Sequence, residues 1–237
     1  MDNSTQLEIF RAQTKNVRVL RASRKHLERS INFALRENNF ASADLHTKLL
    51  VLVYCAWMEA NFSKVVHTPY GFTIAEIEQI KRAQSAHGIE AGWQKCLELG
   101  LRRISSSPRS NYRQNIRRKI STFVDVYIVG PSQLRNRIAH GQWHDALNTN
   151  NTALNHNLTQ KLQDLNVVEV TKWFGVTERL LNIIEALIES PNRAFHRDYW
   201  SEISNLEAYI DETASWSLAE KVKQLQAKKP QRSLFSS

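Results

Sequence analysis

Glycine and proline are scarce in this chain. Its 237 residues include 7 glycines and 5 prolines, which argues against a turn-rich all-β sandwich or barrel. Hydrophobic residues form 42% of the chain and six residues are tryptophan, whereas disordered segments contain few large apolar residues. The composition therefore indicates a folded, helical protein, and the chain is long enough for one substantial hydrophobic core.

Cysteines and long apolar runs are also rare. Cys55 and Cys96 both lie in helical sequence patterns, and we expect buried thiols instead of a disulfide or a metal site. The longest apolar run covers residues 49–58, well short of the roughly 20 residues that cross a bilayer. Residues 1–6 have neither the basic nor the apolar region of a secretory signal. We therefore expect a cytoplasmic protein that does not contact a membrane.

Apolar residues recur at helical spacing along most of the chain, between short breaks rich in Ser, Pro, Gly or Asn. The predicted helices cover about 6–37, 42–66, 73–85, 88–104, 110–129, 131–140, 167–189 and 194–226. The helix at 42–66 is apolar on nearly all sides, which is typical of a buried central helix. The segment 145–157 is rich in Asn and Thr and predicts a polar loop with a hairpin at Asn150–Asn151.

These patterns favour one all-α domain over residues 1–227. Its core is expected to cover about 41–190, with the helices at 6–37 and 194–226 flanking that core. The segment 228–237 has few apolar residues, and we predict it to be a disordered tail.

One short segment combines phosphate binding with proton transfer. Residues 134–143 read LRNRIAHGQW, and the segment predicts a short helix at about 131–140, because Pro131 suits the first turn and Gly141 the position after the last. The Arg135 side chain can hold a phosphate through two parallel hydrogen bonds. The His140 side chain can transfer a proton near neutral pH. These two side chains suit RNA cleavage without a metal ion.

The spacing of Arg135 and His140, with Asn136 directly after the arginine, resembles the Arg-x4-6-His motif of the HEPN superfamily. The resemblance implies an all-α antiparallel helical bundle, here with additional N- and C-terminal helices. It also implies a metal-independent endoribonuclease of a bacterial toxin or antiphage defence system, without a cofactor. In this family two motifs meet across a dimer. Many members also have an acidic residue on a helix near the motif, a position that Glu59 matches.

Each motif residue then has an expected role. Neutral His140 removes the proton from a ribose 2′-OH, while Arg135 holds the attacked phosphate and stabilises the charge that develops on its oxygens. Asn136 orients the imidazole or binds a phosphate oxygen, and Glu59 orients Arg135. On a regular helix Arg135 and His140 are about 140° apart, so they converge only if the helix frays at Gly141 or if they act from different chains.

A second pair, Arg137 and His144, also satisfies the motif spacing. We favour Arg135 and His140, because Asn136 then fills the polar position after the arginine. The sequence alone does not decide which of the two pairs is catalytic. It also leaves open a structural role, in which the arginines are solvated and His140 interacts with the helix C-terminus.

The formal net charge is +9 and the isoelectric point is about 9.7, which favours a polyanionic partner such as RNA. Part of this charge forms a basic ridge on the first predicted helix, at Arg11, Lys15, Arg18, Arg21, Lys25 and Arg29. The candidate RNA-binding residues are Arg109, Tyr112, Arg113, Arg117 and Arg118 before the motif, and Arg137 and His144 in and after it. Cations of this kind bind phosphates without reading sequence, and Tyr112 is placed to stack on a base. A solvated helix face is the alternative.

Two other functions compete with the nuclease. One is a HEPN module that binds RNA or a protein without cleaving, and the other is a purely structural helical dimer. For the nuclease, a homodimer supplies a second histidine as the acid for the leaving group. An antitoxin or another defence-system protein is the further partner that the resemblance implies.

Overall fold

The computed structural model describes residues 1–105 and 111–228. Regular secondary structure there is helical, apart from one isolated β-bridge between Leu147 and Leu154. The helices are α1 (Asn3–Arg36), α2 (Phe40–Val66), α3 (Ile74–Arg102), α4 (Tyr112–Val124), α5 (Gly130–Ala139), α6 (His156–Gln163), α7 (Val167–Glu189), α8 (Ala194–Ala214) and α9 (Leu218–Ala227), with a π-helical turn, Asp125–Val129, between α4 and α5. The predicted all-α fold is therefore confirmed.

Helix α2 lies at the centre of the fold. Leu50, Tyr54, Trp57 and Met58 are fully buried, and α1, α5 and α7 pack around the helix. Burying one large apolar side chain contributes roughly 1.5–3 kcal/mol. The prediction of a buried central helix is confirmed, and the candidate active site is built on this helix.

By length and composition, α2 is also the one helix among the described residues that is long and apolar enough to cross a membrane. The run at 49–58 does not predict this, because further apolar residues on both sides extend the stretch. In the fold, 56% of its most apolar window is buried. The neighbouring helices thus supply much of the apolar environment of α2.

Helices α1 and α2 form an antiparallel pair with a short connecting turn. Asn38 in this turn adopts the left-handed conformation (φ 55°), which asparagine tolerates better than most residues. The Asn39 side chain then accepts a hydrogen bond from the Ser42 backbone N–H at 3.0 Å and caps α2. At the far end of the pair, the Gln6 side chain donates to the Thr68 carbonyl at 3.2 Å. Polar contacts therefore fix both ends of the pair.

Helix α3 combines the two helices that the sequence predicts at 73–85 and 88–104. Its first turn has the expected capping box between Thr73 and Glu76. The break between the predicted helices is a kink at Gly88, where φ is 83° and ψ is −175°. Only glycine adopts this conformation readily, so the position of the break follows from the residue type.

The C-terminal half departs from the sequence prediction in two places. The predicted helix at 194–226 is divided into α8 and α9, and the Ser217 side chain caps α9. Helix α6 follows the polar loop, where the sequence pattern predicts no helix. The predicted hairpin is present, since the Asn148 N–H donates to the Ala153 carbonyl at 2.8 Å and Asn151 turns the chain with φ 54°. Most of the predicted disordered tail, residues 229–237, lies outside the described residues.

Candidate active site

Helices α4 and α5 run on through the π-helical turn, which positions the motif helix. Pro131 has no backbone N–H, and its ring excludes a regular α-helical contact with the Tyr127 carbonyl four residues earlier. The turn accommodates this disruption, because the Gly130 N–H bonds to the Asp125 carbonyl five residues earlier. As the sequence predicts, Pro131 lies in the first turn of α5, and the π-turn joins this helix to α4 with no non-helical residue between them.

The carbonyl that Pro131 leaves free is satisfied from the core. The Tyr54 hydroxyl on α2 donates a hydrogen bond to the Tyr127 carbonyl and lies 2.6 Å from Thr177 Oγ1 on α7. Burial raises the pKa of the Tyr54 hydroxyl, so the group stays protonated and remains a donor. This link holds the π-turn, and with it α5, against α2 and α7.

The Arg135 side chain reaches from α5 to α2. Its Nη2 forms an ion pair with Glu59 Oε1, and its Nη1 donates to Asn136 Oδ1 at 3.1 Å. The side chains of Arg135 and Glu59 are 32% and 44% exposed, so the pair is accessible to solvent. An exposed ion pair contributes only about 0–1 kcal/mol to stability. Its main consequence here is that the guanidinium has a defined orientation.

Cys55 contributes a buried thiol to the same place. It lies one turn before Glu59 on α2 and is fully buried, as the sequence predicts. Burial raises the pKa of Cys55 to about 12, although the charge of Arg135 and hydrogen bonds from Arg135 and Ser132 lower it. The thiol is therefore neutral near pH 7 and gives the arginine an uncharged neighbour. Sequence reasoning missed this contact, although the four-residue spacing of Cys55 and Glu59 was a usable signal.

His140 is the C-cap of α5. Its backbone N–H donates to the Asn136 and Arg137 carbonyls, both at 3.2 Å. Gly141 then adopts φ 79°, the left-handed conformation that commonly ends a helix, as the sequence predicts. The His140 side chain is exposed, and within the described part of the chain no side chain forms a hydrogen bond with its imidazole.

Arg135 and His140 do not meet within one chain. The guanidinium is bonded to α2, whereas the imidazole lies at the exposed end of α5. Among the described residues, no hydrogen bond or ion pair joins the two side chains. Asn136 is exposed on the turn before His140, and its Oδ1 is engaged with Arg135. The site therefore offers an oriented cation and a separate solvent-facing imidazole.

The second candidate pair lacks a comparable arrangement. Arg137 is half-buried, and its carbonyl accepts a hydrogen bond from the Gln142 N–H at 2.9 Å. His144 lies beyond the break at Gly141, with its Nδ1 3.1 Å from Asp145 Oδ2 and its side chain 78% exposed. The structure brings no anionic partner to Arg137 among the described residues.

Two candidate RNA-binding residues have structural contacts. Arg113 donates a hydrogen bond to the Ile104 carbonyl and so closes the connection from α3 to α4. The Tyr112 ring packs edge-on against His196, with ring centroids 5.9 Å apart. Both side chains are half-buried.

The remaining residues of the basic segment are more accessible. Arg117 and Arg118 are exposed on α4, and Arg118 makes one long contact, 3.4 Å, to Asn115 Oδ1. Arg109 lies outside the described residues. Among the described candidates before the motif, Arg117 and Arg118 are therefore the ones that are fully exposed to solvent.

Within residues 1–105 and 111–228, no group of three or more His, Cys, Asp or Glu side chains is arranged to hold a metal ion. No protein-family model matches the chain, and comparisons with curated proteins and with solved structures gave no match. The function is therefore inferred from the motif, its helical setting and the contacts of its side chains.

Proposed function

We propose that this protein is a metal-independent endoribonuclease of the bacterial toxin or antiphage defence type. The observation that carries the proposal is the ion pair between Glu59 and Arg135, which holds the guanidinium at the surface on the motif helix. A guanidinium has five N–H donors, and the contacts to Glu59 and Asn136 engage two of them. Donors therefore remain for the oxygens of a phosphate.

The proposed reaction is an internal transesterification. Neutral His140 takes the proton of a ribose 2′-OH, and the oxygen attacks the adjacent phosphorus. The bond from phosphorus to the 5′-oxygen breaks, and that oxygen takes up a proton. Arg135 stabilises the negative charge on the phosphate oxygens. The products are a 2′,3′-cyclic phosphate and a 5′-OH.

The leaving 5′-oxygen needs an acid, and one motif supplies one histidine. We infer that the protein is a homodimer in which His140 of a second copy serves as that acid. The separation of Arg135 from His140 within one chain supports this arrangement, because a composite site joins the arginine of one copy to the histidine of the other. An antitoxin or another defence-system protein is the expected regulator of such an enzyme.

One observation favours a second candidate function, a HEPN module that binds RNA or a protein without cleaving it. The His140 imidazole has no partner among the described side chains to fix its tautomer or direction. An unoriented histidine is a poor general base, whereas phosphate binding by Arg135 does not require it.

The deciding experiment is incubation of the purified protein with total RNA in excess EDTA. The nuclease proposal expects cleavage, with 2′,3′-cyclic phosphate and 5′-OH ends on the fragments. A gel-shift assay gives the protein concentration at which RNA is bound. RNA that stays intact at that concentration supports the binding module instead. Fragments with 3′-OH ends contradict the proposed chemistry.

A further inference from the structure

Helix α1 has a continuous row of cations on its solvent-facing side. The row follows steps of three and four residues, so its members share one face of the helix. All six are exposed. They are Arg11, Lys15, Arg18, Arg21, Lys25 and Arg29, here called the α1 ridge.

The α1 ridge is largely free of acidic partners. Among the residues that the structure describes, Arg21 is the member with an acid nearby, 3.9 Å from Glu178, and the other five form no ion pair. Helix α1 contains two acidic residues, Glu8 and Glu28, and Glu28 is bonded to Arg24, outside the ridge, at 2.8 Å. Cations near the candidate RNA-binding residues of α4 are more often paired, since Arg102, Arg103 and Lys119 each form an ion pair with a glutamate.

The ridge is long and straight. Helix α1 has no glycine or proline, and the residues from Arg11 to Arg29 extend about 27 Å at 1.5 Å per residue. Phosphates of one duplex strand are spaced about 3.4 Å apart along the axis. The ridge therefore covers the length of roughly eight base-pair steps along a duplex axis, and because each strand winds around that axis, its cations face the phosphates on one side of the duplex.

We propose that the α1 ridge binds the phosphate backbone of a double-stranded nucleic acid. Single-strand binding depends on several aromatic side chains on which successive bases stack. Residues 11–29 contain no Phe, Tyr or Trp, and α1 has a single exposed aromatic side chain, Phe33, beyond the end of the ridge. A rigid row of cations instead suits a regular duplex backbone. Contacts to phosphates carry no sequence information, so the binding is independent of base sequence.

An anionic membrane is the competing polyanion. A helix that lies in a membrane interface inserts an apolar face into the bilayer. In α1 the continuous apolar face is already used, because Val17, Ile31 and Leu35 are buried in the core. Val19 and Phe33 on α1 are exposed, but two separate side chains do not make the apolar face that insertion needs.

The proposal does not depend on nuclease activity. The ridge and the motif are on different helices, and a DNA duplex has no 2′-OH, so the proposed reaction cannot cleave it. Binding of duplex DNA by a His140→Ala chain therefore tests the ridge alone, whatever the outcome for cleavage.

The test compares two quadruple variants of the full chain. The ridge variant carries Arg11→Glu, Arg18→Glu, Lys25→Glu and Arg29→Glu. The control variant carries Lys81→Glu, Arg82→Glu, Lys161→Glu and Arg193→Glu, all exposed cations outside the ridge and the motif. Each set lowers the formal net charge from +9 to +1. Affinities for a fluorescent DNA duplex, an RNA duplex and the matching single strands are measured by anisotropy over a range of salt concentrations.

We expect the ridge variant to bind both duplexes at least tenfold more weakly at low salt. Its logarithmic salt slope should be smaller by about 3–4, because each phosphate contact contributes roughly 0.9. The control variant should retain most of its affinity and its slope. Circular dichroism verifies that each variant is folded. If the ridge variant fails to fold, the same four residues are changed to Gln, which removes charge without adding acids.

Equal losses in the two variants overturn the proposal, because net charge alone would then explain binding. Unchanged affinity in the ridge variant also overturns it. Tighter binding to single strands than to duplexes contradicts the duplex assignment. Ridge-dependent binding to vesicles that contain anionic lipid, without duplex binding, identifies a membrane as the partner instead.

Discussion

At the scale of single residues, the motif arginine is held more firmly than the motif histidine. Arg135 has a carboxylate and an amide as partners, whereas the imidazole of His140 is exposed at a helix end. The motif and the candidate role of Glu59 are readable from the sequence, and the structure brings Glu59 to Arg135. The buried thiol of Cys55 beside them depends on how α5 packs on α2, which local sequence patterns do not specify.

Replacing His140 with Ala should abolish RNA cleavage, because the proposed base is lost. The free energy of unfolding should fall by only about 0.5–1 kcal/mol, the typical value of a histidine at a helix C-terminus. A gel-based cleavage assay and a denaturant titration measure the two effects. His144→Ala is the matched control and should retain activity. Full activity in the His140→Ala chain, or loss only in the control, would assign catalysis to another residue.

Replacing Glu59 with Ala should lower the cleavage rate by roughly ten- to a hundredfold, since a small displacement of a positioned group has an effect of that size. The free energy of unfolding should change by less than about 1 kcal/mol, because the ion pair between Glu59 and Arg135 is exposed. The control is Glu78→Ala, which removes another exposed ion pair, with Arg82 at 3.2 Å. Equal rates in the Glu59→Ala variant and the original chain would show that Arg135 needs no orienting carboxylate.

At the scale of elements, the sequence predicts most of the helices but not the π-turn that connects α4 to α5. The pattern of Gly130-Pro131 is typical of a helix start, and local rules treat it as one. The structure has α5 begin there, with Pro131 in its first turn. What local rules do not predict is the π-turn that joins α5 to α4 without a break, where a hydroxyl from α2 satisfies the carbonyl that the proline leaves free. Tyr54 and Tyr127 are 73 residues apart, so no local pattern reveals this contact. The kink at Gly88, by contrast, is predictable from the sequence, since the backbone conformation there is one that glycine adopts readily.

Replacing Tyr54 with Phe should destabilise the fold by about 1–3 kcal/mol, because the Tyr127 carbonyl and the Thr177 hydroxyl then lack a buried partner. Cleavage should also fall in conditions where the variant is fully folded, since the motif helix loses its link to α2. Tyr70→Phe is the control, as Tyr70 is fully exposed, and it should change neither property. A Tyr54→Phe chain with unchanged stability and activity would mean that the π-turn is fixed by other contacts.

At the scale of the whole molecule, the candidate chemistry exceeds what one chain provides. A base and an acid are needed, and each chain has one motif histidine. Two-fold pairing is the commonest soluble assembly, and it places the same surface of each copy opposite itself. The structure of one chain shows which surfaces are exposed to solvent, but a dimer interface is defined only by the second copy. The dimer is therefore inferred from the chemistry and not from the sequence or the fold.

Heterodimers of an Arg135→Ala chain and a His140→Ala chain test the composite site. Each variant alone should be inactive. Mixing after partial unfolding and refolding should recover slow cleavage, because the mixed dimer brings Arg135 of one copy to His140 of the other while water takes the place of the missing acid. Light scattering at micromolar concentration should give twice the chain mass. A single-chain mass together with full cleavage would rule out the dimer mechanism.

The hydrogen bond from Tyr54 to the Tyr127 carbonyl also has a consequence during translation. The hydroxyl belongs to a helix made before the motif, and its other neighbour, Thr177, belongs to a helix made after it. When the motif of a nascent chain has just emerged from the ribosomal exit tunnel, that later helix has not yet emerged. The contact between the Tyr54 hydroxyl and Thr177 therefore forms only when α7 has been synthesised and packed. For the proposed nuclease, whose substrate class includes its own messenger RNA, this order would keep the support of the motif helix incomplete until most of the chain has been translated.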